Sequence, residues 1–281
     1  MGSKEMPTSN DVVNYESELT RPFSTAALDM YGGTRRIRLA AFLAWREFFL
    51  PFRFGFLGPI WVTLQLVLWV LVIGMFLGPS LSSQGVHYFA YIAIGFTLYN
   101  SFLVFFSEGS QLFIKSKSYI LNIPNPFSIY AIKLVVKASI QLLMASPVIV
   151  ATILLTDVPI NVVSLLFVPG LIVSFIFGFG AGLVLGTLTV FYRDLTFLVQ
   201  AIMRLLMFMT PIFWVLEGEG LRAKITSFNP IQVYLNVVRA PLLGEMPTIV
   251  DWGVAVGLAA VTFWIGYCLF ALYRNKLAVW L

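Results

Sequence analysis

Ile60 to Leu77 reads IWVTLQLVLWVLVIGMFL, a run without a single charge that Gly58 opens. A helix needs about 20 mostly apolar residues to cross a hydrocarbon core of about 30 Å, and 58–77 supplies that length. Backbone polar groups inside lipid have only each other for partners, so such a run is helical. The rest of the chain has the same character. Of its 281 residues, 59% are hydrophobic and 11% charged, with 26 Phe, 7 Trp and 11 Tyr. Its mean hydropathy is +0.89. A soluble domain carries roughly a quarter charged residues. These values describe a chain whose main solvent is lipid.

Five further runs of that size follow, at about 88–107, 134–155, 162–191, 195–215 and 252–273. The fourth span is long enough to tilt, or to kink near Pro169 and the glycines Gly178, Gly180, Gly182 and Gly186. The expected fold is all-α and integral to the membrane, with six transmembrane helices. Residues 216–250 are broken by Gly218, Gly220, Pro230, Pro241, Gly244 and Pro247, yet enclose the apolar ITSFNPIQVYLNVVRAPLL. They read as short re-entrant helices, or as a loop lying flat on the surface. A re-entrant segment requires surrounding protein or a watery cavity.

Lys and Arg are retained on the cytoplasmic side. With the N-terminus inside, Lys4, Arg21, Arg35, Arg36, Arg38, Arg46, Arg53, Lys115, Lys117, Lys133, Lys137, Arg193, Arg274 and Lys276 all fall inside. Only Arg222, Lys224 and Arg239 fall outside, beside the acidic Asp157, Glu217, Glu219, Glu245 and Asp251. Both termini are then cytoplasmic. Residues 1–33 read as a flexible cytoplasmic tail without a cleavable signal. Residues 34–281 form the transmembrane domain. At its start, 34–50 reads as an amphipathic interface helix, with Arg35, Arg38 and Arg46 on one arc facing anionic headgroups.

Catalytic parts are absent. There is no HExxH, no GxSxG and one histidine, His87, and the lone Cys268 sits in an apolar run. No phosphate loop G-x-x-x-x-G-K-[ST] occurs, so an ATP-powered passage would draw its ATPase from another subunit. The reading is a pore-forming subunit, not an enzyme, with no cofactor of its own. Arg204 lies about eight residues into the fifth span and has no adjacent partner. It either faces the protein interior or snorkels to the interface.

Three stretches resemble the permease subunits of ABC-2 type exporters, in particular those of O-antigen and other cell-surface polysaccharides. They are RFGFLGPIWVTLQ (Arg53 to Gln65), the segment 108–126 with IKSKSYILNIPNPFSIY, and FYRDLTFLVQAIMRLLMFMTPIFW (Phe191 to Trp214) followed by FNPIQVYLNVVRAPLLG (Phe228 to Gly244). The resemblance implies that 108–126 carries a coupling helix seated on the ATPase, with Lys115, Lys117, Tyr119, Ile120 and Leu121 in contact. The bland alternative is a basic loop obeying the charge rule, although exposed apolar residues there favour a partner. It also implies a second copy of the chain, two ATP-binding subunits supplying ATP and Mg, and a lipid-linked polysaccharide as cargo in the bacterial inner membrane. Membrane lipids are the remaining partners, and nothing points to nucleic acid. Trp61, Gln65 and Trp69 share a face at intervals of four. With Arg204, Phe208 and Trp214 they are the expected lining of the path, though aromatics also form interfacial belts. Within the class, teichoic acid, a lipid or a drug are the other cargoes. From another class, a secondary transporter stays open.

Asp194 is placed to cap the fifth helix, Pro211 to loosen its outer end, and Asn229 with Pro230 to turn the chain into a second dipping helix.

Overall fold

The computed structural model describes residues 22–81, 87–215, 226 and 229–281. Lys4 and Arg21 of the tail lie outside the described residues, as do Glu217, Glu219, Arg222, Lys224 and the first of the two expected dipping helices. The described residues form helices and no strands. In chain order these are α1 (Pro22–Arg35), α2 (Ile37–Phe49), α3 (Ile60–Leu81), α4 (Tyr88–Leu103), α5 (Leu112–Lys115), α6 (Lys117–Asn122), α7 (Ser128–Leu155), α8 (Phe167–Phe191), α9 (Leu195–Met209), α10 (Pro230–Leu242) and α11 (Ile249–Trp280).

Among the described residues, four stretches are long and apolar enough to cross a membrane: Tyr88–Asn122, Ser128–Leu155, Val162–Phe191 and Ile249–Trp280. Ile60–Phe76 and Leu195–Met209 are shorter apolar helices. The second expected span does not stop at 107. Its helix runs on through a π-turn, Val104–Glu108, and a 3₁₀ turn, Gly109–Gln111, which re-aim the chain before α5 and α6.

The centre of the bundle is the crossing of α8 and α11, the most extensive helix pair. It depends on glycine. A Cβ built on Gly180 would lie 2.6 Å from the backbone nitrogen of Phe263, and one on Gly266 would lie 2.7 Å from the carbonyl oxygen of Gly180. Small residues at both points let the two backbones touch. Helical geometry continues from Phe167 to Phe191 through Gly178, Gly180, Gly182 and Gly186. Pro169 sits in its first turn, where a missing N–H leaves no hydrogen bond unmade.

Three more boundaries differ from expectation. The tail proposed for 1–33 is helical from Pro22 onward, with Ala26, Asp29 and Gly33 buried against α7 and α11. That contact face is small or acidic, so hydropathy does not mark it. The single interface helix 34–50 is two helices parted at Arg36, which leaves helical geometry at φ −99°, ψ 27°. The helix expected over 195–215 ends at Met209, because Thr210 turns extended at φ −93°, ψ 134°. The residue before a proline is driven from helical geometry in just this way, and Pro211 follows. Asp194 occupies the N-cap of α9 without a capping hydrogen bond. Asn229 does cap α10, its side chain accepting from the Ile231 N–H at 3.0 Å, with Pro230 in the first turn.

Candidate functional site

At the end of the bundle that carries most of the basic residues, α2 lies along α7 with Ala40, Ala44 and Phe48 buried between them. That four-residue spacing leaves Glu47 beside the contact, facing Lys133 and Lys137, which are themselves one turn apart on α7. Lys133 Nζ lies 2.6 Å from Glu47 Oε2, Lys137 Nζ 3.3 Å from Glu47 Oε1 and 2.5 Å from Glu108 Oε2. Lys133 also donates to Ser116 Oγ at 3.4 Å. Two lysines thus join three segments: α2, the turn leading out of α4, and the N-cap of α6. The lysine side chains are only 10% and 12% exposed. A cavity of about 550 Å³ opens beside them, rimmed by Arg46, Lys115 and Tyr119.

Burial pushes the Glu47 carboxyl up, but the ammonium groups of Lys133 and then Lys137 outweigh it and hold the group below its ordinary 4.5. A depressed folded value contributes stability that is complete above the unfolded pKa and lost as pH falls through the folded one. The melting temperature of the purified protein is therefore expected to be independent of pH near neutrality, where Glu47 contributes its full stabilisation, and to decline as pH falls below about 4.5. In Glu47→Gln that component of the acid-side decline is expected to vanish, which parallel melting curves would check.

The coupling residues divide by face. Lys115 and Lys117 are exposed, as are Tyr119 and Leu121 at 38% and 54%, whereas Ile120 turns inward onto the core. Just beyond α6, Asp29 of α1 takes hold of the chain. Its carboxylate accepts from the backbone N–H groups of Phe127 and Ser128 at 3.1 and 2.9 Å and from Arg274 Nε of α11 at 2.8 Å. Arg36 donates to Asn125 Oδ1 at 2.6 Å. The segment between α6 and α7 is thus fastened to both α1 and α11. Arg35, Arg38 and Arg46 all point to the surface but stand on two helices, with Arg35 5.6 Å from the Tyr31 ring.

Of the expected path residues, Trp61, Gln65 and Trp69 are exposed along one face of α3. Trp69 packs on Phe96 at 5.4 Å and on Phe213 at 6.3 Å. Tyr99 of α4 hydrogen-bonds the carbonyl of Met203 on α9, so α3 and α9 both rest on α4. Arg204 is exposed on α9, its Nε donating to the Gln200 carbonyl at 3.3 Å, and Phe208 is 71% exposed. Trp214 folds back to donate to the Phe208 carbonyl at 3.2 Å. Phe213, which was not among the expected lining, packs on Trp69 of α3.

Arg239, which charge counting set on the outer side, is buried within the protein. It is 5% exposed, its guanidinium 3.9 Å from the Tyr91 ring centre and donating to the Pro211 carbonyl at 2.7 Å. Tyr91 donates to the carbonyls of Pro211 at 2.9 Å and Trp214 at 3.2 Å, and Tyr88 to that of Phe213 at 2.7 Å. Ending α9 at Met209 orphans these carbonyls, and three side chains satisfy them. The only sequence signal was an arginine within the apolar VYLNVVRAPLL.

No cluster of His, Cys, Asp or Glu among the described residues could hold a metal ion. No curated protein matches the chain. The family model for ABC-2 type transporters matches residues 38–243, from the start of α2 to just past α10. That match spans well over half of the sequence and takes in the lysine–glutamate joint, the exposed α6 and the broken end of α9, and the chain belongs to the ABC-2 type transporter family.

Proposed function

We propose that this integral membrane protein is the permease subunit of an ATP-driven exporter that carries a lipid-linked, O-antigen-like polysaccharide across the bacterial inner membrane. It works as a homodimer with two separate ATPase subunits, and both termini lie in the cytoplasm. In this reading α3, α4, α7, α8, α9 and α11 are six spans, α2 is the interface helix, and α10 is a re-entrant helix held by Arg239. Residues 108–126 couple to the ATPase, and the path runs between α3 and α9 over Trp61, Gln65, Trp69, Arg204, Phe208 and Trp214.

The observation that carries the proposal is the joint of Glu47, Glu108, Lys133 and Lys137 directly behind an exposed apolar helix. ATP and Mg act in the partner subunits and provide the closing motion. Pressure on Tyr119 and Leu121 moves α6, and the Ser116–Lys133 and Lys133–Glu47 contacts pass that movement to α7 and α2 together. Uncharged faces bearing tryptophans and a carboxamide suit sugars, whose CH faces stack on rings while hydroxyls need donors and acceptors.

The test is the double variant Tyr119→Glu, Leu121→Glu. Both side chains are exposed, so the protein is expected to insert and melt normally. Burying two unpaired carboxylates in a docking surface costs about 2–5 kcal/mol or more, and each 1.4 kcal/mol is about tenfold in affinity. Co-purification of the ATPase is therefore expected to drop at least about tenfold, with export lost in parallel. Normal ATPase recovery and export would sink the docking assignment.

A further inference from the structure

Between α3, α4 and α7 lies a cavity of about 90 Å³ whose lining is unusual for a place inside an apolar bundle. Gln65 comes from α3, Thr97 and Asn100 from α4, and Gln141 from α7. Four uncharged polar side chains from three helices converge there, with Phe96 as an aromatic wall. Thr97 is 2% exposed, and its hydroxyl has no hydrogen-bond partner among the described residues. Asn100 spends its amide on the Phe96 carbonyl at 2.9 Å, which leaves the side-chain oxygen. Buried polar groups are almost always hydrogen-bonded, so such a lining is matched to something that fills it.

The chemistry of the lining narrows what that is. Carboxamides and a hydroxyl both donate and accept, and no charge contributes, so an ion is a poor match and a neutral polyhydroxylated group a good one. Gln65 is exposed and stands between Trp61 and Trp69 on the same face of α3, so the cavity adjoins the side where aromatic rings are presented. The volume suits the hydroxyl edge of one sugar ring, or about three waters at about 30 Å³ each. We infer that this cavity is a subsite for a neutral pyranose unit of the cargo, with Thr97, Asn100 and Gln141 binding its hydroxyls beside Gln65. This assignment rests on the polysaccharide reading above and adds three residues to it.

Full-length protein in lipid nanodiscs can be probed by saturation-transfer NMR with methyl α-glucopyranoside, methyl α-galactopyranoside and methyl α-mannopyranoside. Transfer to at least one of them is expected in the unaltered protein, and at least a fivefold loss in Gln141→Leu, Asn100→Leu and the isosteric Thr97→Val. Ser146→Ala, in the separate apolar groove between α7 and α8, should keep the signal. Melting temperatures confirm folding, and Thr97→Val keeps the test decisive if a larger replacement misfolds. Equal transfer in all variants would overturn the subsite while leaving polysaccharide export standing. So would absence of transfer in the unaltered protein while polymer export proceeds, which would mean the cavity holds water alone. Absence of both transfer and export would overturn the subsite and the polysaccharide reading together.

Discussion

Gly180→Val is expected to abolish the folded protein as a monodisperse species. The new Cβ alone would stand 2.6 Å from the nitrogen of Phe263, 2.8 Å from its Cα and 2.8 Å from the carbonyl carbon of Thr262. All three are backbone atoms, so no side chain can swing away to make room. Relief requires α8 and α11 to separate along their crossing, exposing a Phe179–Phe263 stack at 5.9 Å among other contacts. Overpacking typically costs 1–3 kcal/mol, and a backbone-limited site belongs at or beyond the top of that range, about 3 kcal/mol or more. Gly257→Val is the matched control on α11, for nothing lies within 4 Å of the Cβ it would add. Size-exclusion profiles and melting curves in detergent should show Gly257→Val unchanged and Gly180→Val aggregated or melting many degrees lower. Equal behaviour of the two would mean that the helices do not meet at Gly180.

The second large effect is expected from Lys137→Glu. Three carboxylates would then crowd one place, since Lys137 lies 3.3 Å from Glu47 and 2.5 Å from Glu108. Removing one partner from a buried ion pair costs about 3–5 kcal/mol. Here Glu47 and Glu108 are 33% and 28% exposed, and water screening reduces the figure to about 2–3 kcal/mol. Adding Glu108→Lys restores an opposite pair at the same place and should recover part of the loss, by about 0.5–3 kcal/mol for residues in contact. Lys137→Met should be milder than Lys137→Glu, because Glu47 keeps Lys133. A double-mutant cycle on melting temperature gives the stability side. Export against ATP hydrolysis in proteoliposomes gives the functional side, where Lys137→Glu should leave hydrolysis running with little cargo moved. Tight coupling in that variant would remove the joint from the transmission path.

Helices were legible in the sequence wherever burial in lipid dictates composition. The uncharged run from Ile60 gave α3, the apolar stretch after Leu134 gave most of α7, and Asn229–Pro230 announced the start of α10. What escaped notice is organised by polar atoms meeting across long separations. Asp29 looks like one acid in a mixed-charge tail, and only the approach of Phe127, Ser128 and Arg274 reveals that it is buried. Arg239 counts as one more positive charge until the carbonyl of Pro211 is set beside it. Pro169 and Pro211 are the same residue type in two apolar runs, yet one begins a helix and the other ends one. The difference lies in where each helix finds its packing partners, which a proline cannot announce. Ile120 and Tyr119 are neighbours of similar apolarity, and the facing of a six-residue helix sends one inward and the other out. Periodicity over so short a segment has too few turns to tell them apart.

The grip of Asp29 on Arg274 also sets an order of assembly. The two residues are separated by 245 positions, so Asp29 is synthesised long before the guanidinium that completes the contact exists. Until then α1 can reach the start of α7 but lacks this tie to α11. Until α11 is made, α1 is therefore expected to be more open to proteolysis than in the finished fold. A chain stalled or truncated before Arg274 would show its fault at the opposite end, as cleavage near Asp29.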